Sequence, residues 1–437
     1  MLCRRLLFHT CWLSLLARWC VALGGTTALD TFGSQAFTGG SLPSDVSVHF
    51  QRCVLVLWFL LCPVCLLWTF IEPILLFLGQ NPELSRDVQR FLRVLLIGAP
   101  GYVAFESLKK YLQCQGTDRI SIFRCVLGIM RASTIALIIV SPVNIALNIY
   151  FIHHTRLGLF GSPLAVSLTY WLAFFTLVVL TILSPTHKKN KTWGGFQLKE
   201  ALDGRRVWDF LKLALPGILM VGTEWAAFEI VALAAGRLGP LSLSAQSAIM
   251  TTDQIVNTVP FGIGVASSAR VGNLIGARSA EGAKQAGHLA ALLSVIVGML
   301  IMTTMMATKD IFGYLFTDDD DTVRLVAKVM PLVASFQVAD GLAGSCGGVL
   351  RGRQHLGALF NFVAYYIIAL PLGIALAFLP QVHLGLQGLW IGQVVALFIV
   401  GIGEYTVVWL GTDWEKEVAK GIERNERDAV RRALIEE

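Results

Sequence analysis

A 30-residue stretch at 207–236, VWDFLKLALPGILMVGTEWAAFEIVALAAG, constrains this chain more than any other. It is apolar and long enough to cross a bilayer, for which about 20 residues suffice. Yet Glu224 and Glu229 sit near its middle. A carboxylate at that depth costs at least ~2.5 kcal/mol on the mildest scale, and such groups face a protein interior or a water-filled path. Two readings follow: the acids brace helix packing, or this helix lines a route for a solute or a proton. The second is the stronger.

The stretch is one of many. Apolar segments recur at about 6–35, 50–78, 90–113, 131–152, 157–183, 207–236, 243–269, 285–316, 323–349, 355–379 and 384–410. In hydrocarbon every backbone polar group must be paired within the protein, so runs of this length read as helices. The short alternating segments of a membrane barrel are not seen. Only 15 % of the 437 residues are charged and 55 % are hydrophobic, against about 25 % charged in soluble domains. The expectation is an all-α polytopic membrane protein with about eleven transmembrane helices, in the lipid bilayer of either the vacuole or the cell surface.

Loop charge gives the orientation. Lys109, Lys110, Arg119, Arg124 and Arg131 form one basic set; Lys188, Lys189, Lys191, Lys199, Arg205 and Arg206 form another. Arg270, Arg278 and Lys284, then Arg351 and Arg353, continue it, and all of these are expected on the cytoplasmic side. The net charge of +6 has this topological origin and does not point to nucleic acid. The acidic run Asp318 to Asp321 reads as a solvated turn. The nine cysteines lie largely in apolar runs and read as buried thiols. Cys62 and Cys65 share only their spacing with a redox pair.

The expected division is an N-terminal transmembrane lobe at 1–183, a cytoplasmic linker at 184–206, a C-terminal transmembrane lobe at 207–411 and a charged cytoplasmic tail at 412–437. The lobes echo each other: LGLFG at 157–161 against LGLQG at 384–388, and Asn144 and Asn148 against Asn361 and Tyr365. Internal repeats of this kind are a common transporter plan, with binding near the repeat interface.

Glu224 and Glu229 are five apart, about 140° around a helix and 7.5 Å along it. They do not share a face, so one can carry cavity chemistry while the other orients the helix. Pro216 and Gly217 favour a kink two turns earlier. Asp340, in a glycine-rich segment, is a third buried acid, and burial beside other carboxylates suits a group that loads and releases a proton. Trp225 and Phe228 flank the first two acids and can pack or face a cationic solute. Asp253 is a fourth acid, either facing the same cavity or pairing with a neighbour. Glu106 has Lys109 and Lys110 within helical pairing reach and reads as largely structural. No metal-ligand set, cofactor motif or phosphate-binding loop accompanies these acids, which counts against an ATP-driven pump and against an enzyme.

At these residues the chain resembles the multidrug and toxic compound extrusion (MATE) family, in its eukaryotic, fungal-type branch. The matching stretches are ALDTFGSQAF (28–37), IEPILLFLGQNPEL (71–84), KKYLQCQG (109–116), KLALPGILMVGTEWAAFEIVALAAG (212–236), GIGVASSARVGNLIGA (262–277) and FQVADGLAGSCGGVLRGR (336–353). The resemblance implies an antiporter that exchanges an organic cation or xenobiotic for protons; the acids themselves leave Na⁺ open as the coupling ion, and a monomer is expected. It implies twelve helices in two pseudo-symmetric bundles around a central cleft, with functional acids at Glu224, Glu229 and Asp340. Arg270 matches an arginine that supports or gates the structure. ALDTFGSQAF stands closer to the chain start than in the family, as though the first helix were absent, and GTDRISIFRCVLGIMR (116–131) is longer than the family's connection. Two other functions are weighed: a lipid or lipid-linked sugar flippase, for which an acidic cleft is unsuited, and a truncated, inactive membrane scaffold.

Overall fold

The computed structural model describes residues 20–77, 82–115 and 122–436, without the side chains of 84, 122–131 and 434–436. It divides into two compact units: residues 1–218 with 421–437, and residues 219–420.

In the first unit a π turn, Cys20–Gly24, leads into α1 (Gly25–Gly39). Then follow α2 (Asp45–Thr69), α3 (Ile71–Phe77), α4 (Pro82–Leu95), α5 (Ala99–Gln113), α6 (Ile122–His153) and α7 (Gly161–Leu183). The basic segment after α7 forms two short helices, α8 (Pro185–Asn190) and α9 (Leu198–Ala201). It is pinned to the bundle: the Gln51 amide donates to the Gly195 carbonyl at 2.7 Å, and the Gln197 backbone N–H donates to Gln51 at 2.9 Å. The core joins Leu29, Phe32, Leu57, Val103, Phe105, Tyr111, Leu177 and Phe210. Within it Asp30 and Lys110 form a buried ion pair at 2.8 Å.

The chain enters the second unit inside α10 (Gly204–Arg237) and continues through α11 (Pro240–Gly276), α12 (Ala280–Thr308) and α13 (Asp320–Val349). After a 3₁₀ turn at Leu350–Arg353 come α14 (Gln354–Asn361), a π-helical segment at Phe362–Ala369, and α15 (Leu370–Phe378). Then come α16 (Leu386–Trp409) and α17 (Trp414–Glu436). Asp319 caps α13 by accepting from the Thr322 backbone N–H at 3.2 Å. α13 is the central helix, packed on α11, α12 and α16. Its glycines let it touch α11 backbone to backbone: a Cβ at Gly264 would strike the Gly344 carbonyl oxygen, and one at Gly348 would strike that of Gly264.

The expectation of about eleven spans in a twelve-helix plan of two bundles around a cleft is corrected here. Among the described residues, seven helices are long and apolar enough to cross a membrane, or up to eight if one bent pair counts as a single span. The reasons are local. Of segment 6–35 only the part from Cys20 is described, and it gives the π turn and the 15-residue α1. Segment 90–113 falls across α4 and α5, which break and bend by 48°. α11 carries Gln246, Asp253, Gln254, Asn257 and Arg270 along its length and is not among the seven. Segments 323–349 and 355–379 run together as the single stretch Asp320–Phe378. The chain start before Cys20 and residues 116–121 of the long connection lie outside the described residues.

Candidate functional site

The acids singled out in the sequence gather in the second unit. Glu224 lies mid-way along α10, partly exposed, with Met220 one turn before it and the buried Phe228 one turn after it on the same face. α14 and the π-helical segment fasten that face: Asn361 donates to the Met220 carbonyl at 3.0 Å, and the Tyr366 hydroxyl to the Thr223 carbonyl at 3.1 Å. The Phe228 ring meets Phe336 edge-on at 5.8 Å and Tyr365 at 6.2 Å, while Phe336 in turn meets Trp390 at 5.7 Å. Edge-to-face pairs add about 0.5–1.5 kcal/mol each beyond buried area. This aromatic column fixes the rotamers around the acids.

Asp253 on α11 is buried and accepts a hydrogen bond from the Gln337 amide at 2.7 Å. Asp340, one turn along α13 from Gln337, is buried with its Oδ2 unpaired among the described residues. Glu224, Asp253 and Asp340 act on one another through their charges, and the buried Tyr365 hydroxyl is within electrostatic reach of all three. Gln246, on α11, accepts from the Trp390 indole N–H at 2.8 Å. Three carboxylates in an apolar core, with no cationic side chain among the described residues acting on them, cannot all be charged without a proton or a cation among them. The arrangement is suited to taking up and giving up such a charge.

The remaining sequence candidates lie elsewhere. Glu229 stands apart from these acids, and no neighbouring charge among the described residues acts on it, as the 140° separation requires. Trp225 is partly buried beside Glu224. Arg270 is half-buried, 17 residues beyond Asp253 on α11 and so ~25 Å along the helix. Glu106 belongs to the first unit, where Lys109 holds it at 2.6 Å; Lys110 pairs with Asp30 instead. Asn144 and Asn148 are also in the first unit, bonded to each other at 2.8 Å, with Thr169 donating to Asn144 at 3.2 Å. Among the described residues, no three His, Cys, Asp or Glu side chains are placed to hold a metal ion.

One acid escaped the sequence reading. Glu404, in the apolar α16, is 0 % exposed and lies within electrostatic reach of Glu224. The signal was present: a single carboxylate in a 24-residue helix that is otherwise uncharged carries the same burial cost that drew attention to Glu224.

A helical protein with several helices long and apolar enough to cross a bilayer belongs to the class of integral, multi-pass membrane proteins. The family model MatE matches residues 16–150 and 216–377. The chain belongs to the MATE family of transporters, and it is a carrier of small molecules rather than an enzyme. An uncharacterized transporter of Schizosaccharomyces pombe is 38 % identical over 90 % of this chain and 69 % of its own length. Multidrug and toxin extrusion protein 1 of Homo sapiens is 35 % identical over 86 % of this chain and 63 % of its own. The crystal structure of the eukaryotic MATE transporter AtDTX14 superposes with a TM-score of 0.83 at 27 % identity, covering 94 % of this chain and 89 % of that one. The chain thus spans about two thirds of the length of these curated relatives.

Proposed function

We propose that this protein exports organic cations or xenobiotics in exchange for protons, as a monomer, with Glu224 and Asp340 carrying the exchange and Asp253 supporting them. The observation that carries this reading is the convergence of three carboxylates in an apolar core with no basic partner among the described residues. A cationic solute and a proton compete for the same negative charge there, which is the minimal requirement for coupled exchange. Glu229 serves to orient α10, on the face away from the cluster. Trp225 and Phe228 supply ring faces beside Glu224 for a cation, and Arg270 supports the far end of α11. The printed names of the mammalian relatives, multidrug and toxin extrusion proteins, agree with the solute class. The identity to fission-yeast proteins of 38 % and 34 %, beside 35 % for the human one, is compatible with a fungal-type member. An acidic core is unsuited to an anionic lipid or lipid-linked sugar, so a flippase role is disfavoured.

The test is flux of tetraethylammonium in sealed vesicles carrying the purified chain, under an imposed pH or Na⁺ gradient. A pH gradient is expected to drive flux, and Glu224→Gln and Asp340→Asn each to reduce it by about 10²-fold or more, the scale on which a positioned proton-transfer group acts. Flux driven by Na⁺ alone, or undiminished in both variants, sinks the proton reading.

A further inference from the structure

The buried cluster has a neighbour that the coupling scheme above does not use. Neither carboxylate oxygen of Glu404 has a hydrogen-bond partner among the described residues, although the side chain is 0 % exposed. A group this polar is not buried unpartnered without cost, about 1–3 kcal/mol for a neutral group and more when charged. Its position can be read from the glycines around it. A Cβ at Gly357 would meet Glu404 Oε1 at 3.0 Å and one at Gly347 would meet Oε2 at 3.4 Å; both would also meet the thioether end of Met220 at 2.8 Å. Glu404 therefore sits in a pocket floored by two missing side chains and walled by Met220.

That pocket is in line with the cluster. Met220 is one turn from Glu224 on the same face of α10, and Gly347 is two turns from Asp340 on the same face of α13, ~6 Å and ~10 Å along their axes. Gly357, Asn361 and Tyr365 follow at four-residue steps on the third side. The Tyr365 hydroxyl, 0 % exposed and also without a hydrogen-bond partner among the described residues, is within electrostatic reach of Glu224, Asp253, Asp340 and Glu404 alike. On its other side Glu404 feels Arg351, in the 3₁₀ turn that ends α13. The titratable groups facing it are thus Glu224 from α10, Cys346 from α13, Arg351 from the turn and Tyr365 from the π-helical segment. On α12, His288 packs against Tyr405 and Trp409 instead.

We propose that Glu404 is a second proton-binding site, a relay between the Glu224–Asp253–Asp340 cluster and the end of the helices marked by Arg351. This rests on the proton-exchange reading above. The protonated Glu224 carboxyl gives its proton to a Glu404 carboxylate oxygen, and one O–H bond breaks as another forms. Glu404 then releases the proton to water at the Arg351 end, which the loop-charge rule assigns to the cytoplasm. No electron moves, and both carboxylates return to their starting charge when the next proton arrives at Glu224. The Arg351 charge offsets the transient anion, and the Tyr365 hydroxyl lies within electrostatic reach of both carboxyls.

Two measurements on the purified full chain test this. In vesicles, Glu404→Gln, which keeps shape and removes the exchangeable proton, is expected to cut pH-driven tetraethylammonium flux at least tenfold, within the range of a proton-transfer group. Glu404→Asp is expected to restore part of it with a displaced pH profile. Flux and pH profile unchanged in Glu404→Gln overturn the relay, as does a loss that Glu404→Asp fails to relieve while both variants keep the parent's melting temperature. The second measurement needs no transport. In infrared difference spectra recorded against pH, the parent is expected to show a protonated-carboxyl C=O band that Glu404→Gln lacks. A spectrum identical in the two proteins overturns the proposal even if no flux is seen in the parent, the outcome that would count against the exchange reading itself.

Discussion

Asp30 and Lys110 face each other at 2.8 Å inside the first unit, each side chain at most 4 % exposed. A buried pair gains little over an apolar replacement, but breaking one half leaves a bare charge that costs about 3–5 kcal/mol. Lys110→Met alone is therefore expected to lower the melting temperature sharply, and Asp30→Leu with Lys110→Met together to regain most of the loss. Equal melting of the single and double variants would show that the pair is not the source of the cost. At this scale the sequence was informative wherever a charge interrupted an apolar run, because desolvating a charge is costly whichever partner later offsets it. Glu224, Glu229 and Asp340 stand out in the sequence as charges inside apolar runs for that reason, and the five-residue spacing of Glu224 and Glu229 puts those two on different faces. The partners were not legible. Lys110 was available to Glu106 by helical spacing, yet it reaches across to Asp30 because Lys109 already occupies Glu106.

Among the elements, α13 shows how much packing depends on what is left out. Its contact with α11 runs through Gly264 and Gly348: a Cβ at Gly264 would meet only backbone of α13, and one at Gly348 would meet the Gly264 carbonyl as well as the Ser267 hydroxyl. Gly264→Val should therefore force the helices apart and destabilise the second unit by about 1–3 kcal/mol or more, seen as a lower melting temperature. Gly262, whose Cβ would meet nothing, is the control: Gly262→Ala should melt as the parent does, and a matching drop in both would refute the seam as the cause. The glycine-rich composition of 336–353 hinted at such an approach, but not its partner helix. Helix existence was legible from long apolar runs, whereas helix count was not. Polar residues spread along α11 and unbroken backbone through 320–378 are not visible as segment boundaries in a hydropathy reading. The π-helical turn at Phe362–Ala369 leaves no mark in composition at all.

At the scale of the molecule the polar tail returns to the first unit. Arg432 pairs with Asp45 and with Glu200 at 3.1 Å, Arg431 with Asp203 at 3.0 Å, and Arg206 with Asp428 at 3.2 Å. Within the second unit Arg353 holds Glu417 at 2.6 Å near the start of the same helix. Burial acts to raise the Asp203 carboxyl, but hydrogen bonds from Arg431 and the Arg206 backbone, with the charges of both arginines, hold it below its ordinary value. Burial likewise opposes Lys420 and Arg353 at Glu417, and the two cations prevail. Both carboxyls thus add stability that is complete above the ordinary carboxylate range and is lost as pH falls through their lowered values. Asp428 is shifted upward by burial despite its arginines, so its contribution runs the other way and fades as pH rises through the raised value. A spin label at the exposed Ala433 should accordingly gain mobility on acidification below the ordinary carboxylate range, and Asp203→Asn should bring that change about at neutral pH. A label equally ordered in both conditions would sink this account.

The tail also decides how the units are strung together. Because residues 421–437 count with the first unit, the second is an insert in the chain, entered between Ile218 and Leu219 and left between Lys420 and Gly421. Both crossings fall in the middle of a helix, α10 going in and α17 coming out. The chain therefore passes from one unit to the other without leaving helical conformation, and a cut at either crossing would interrupt a helix rather than a loop. On the way in, Pro216 already lacks the backbone N–H that an interior residue would donate, two residues before the crossing.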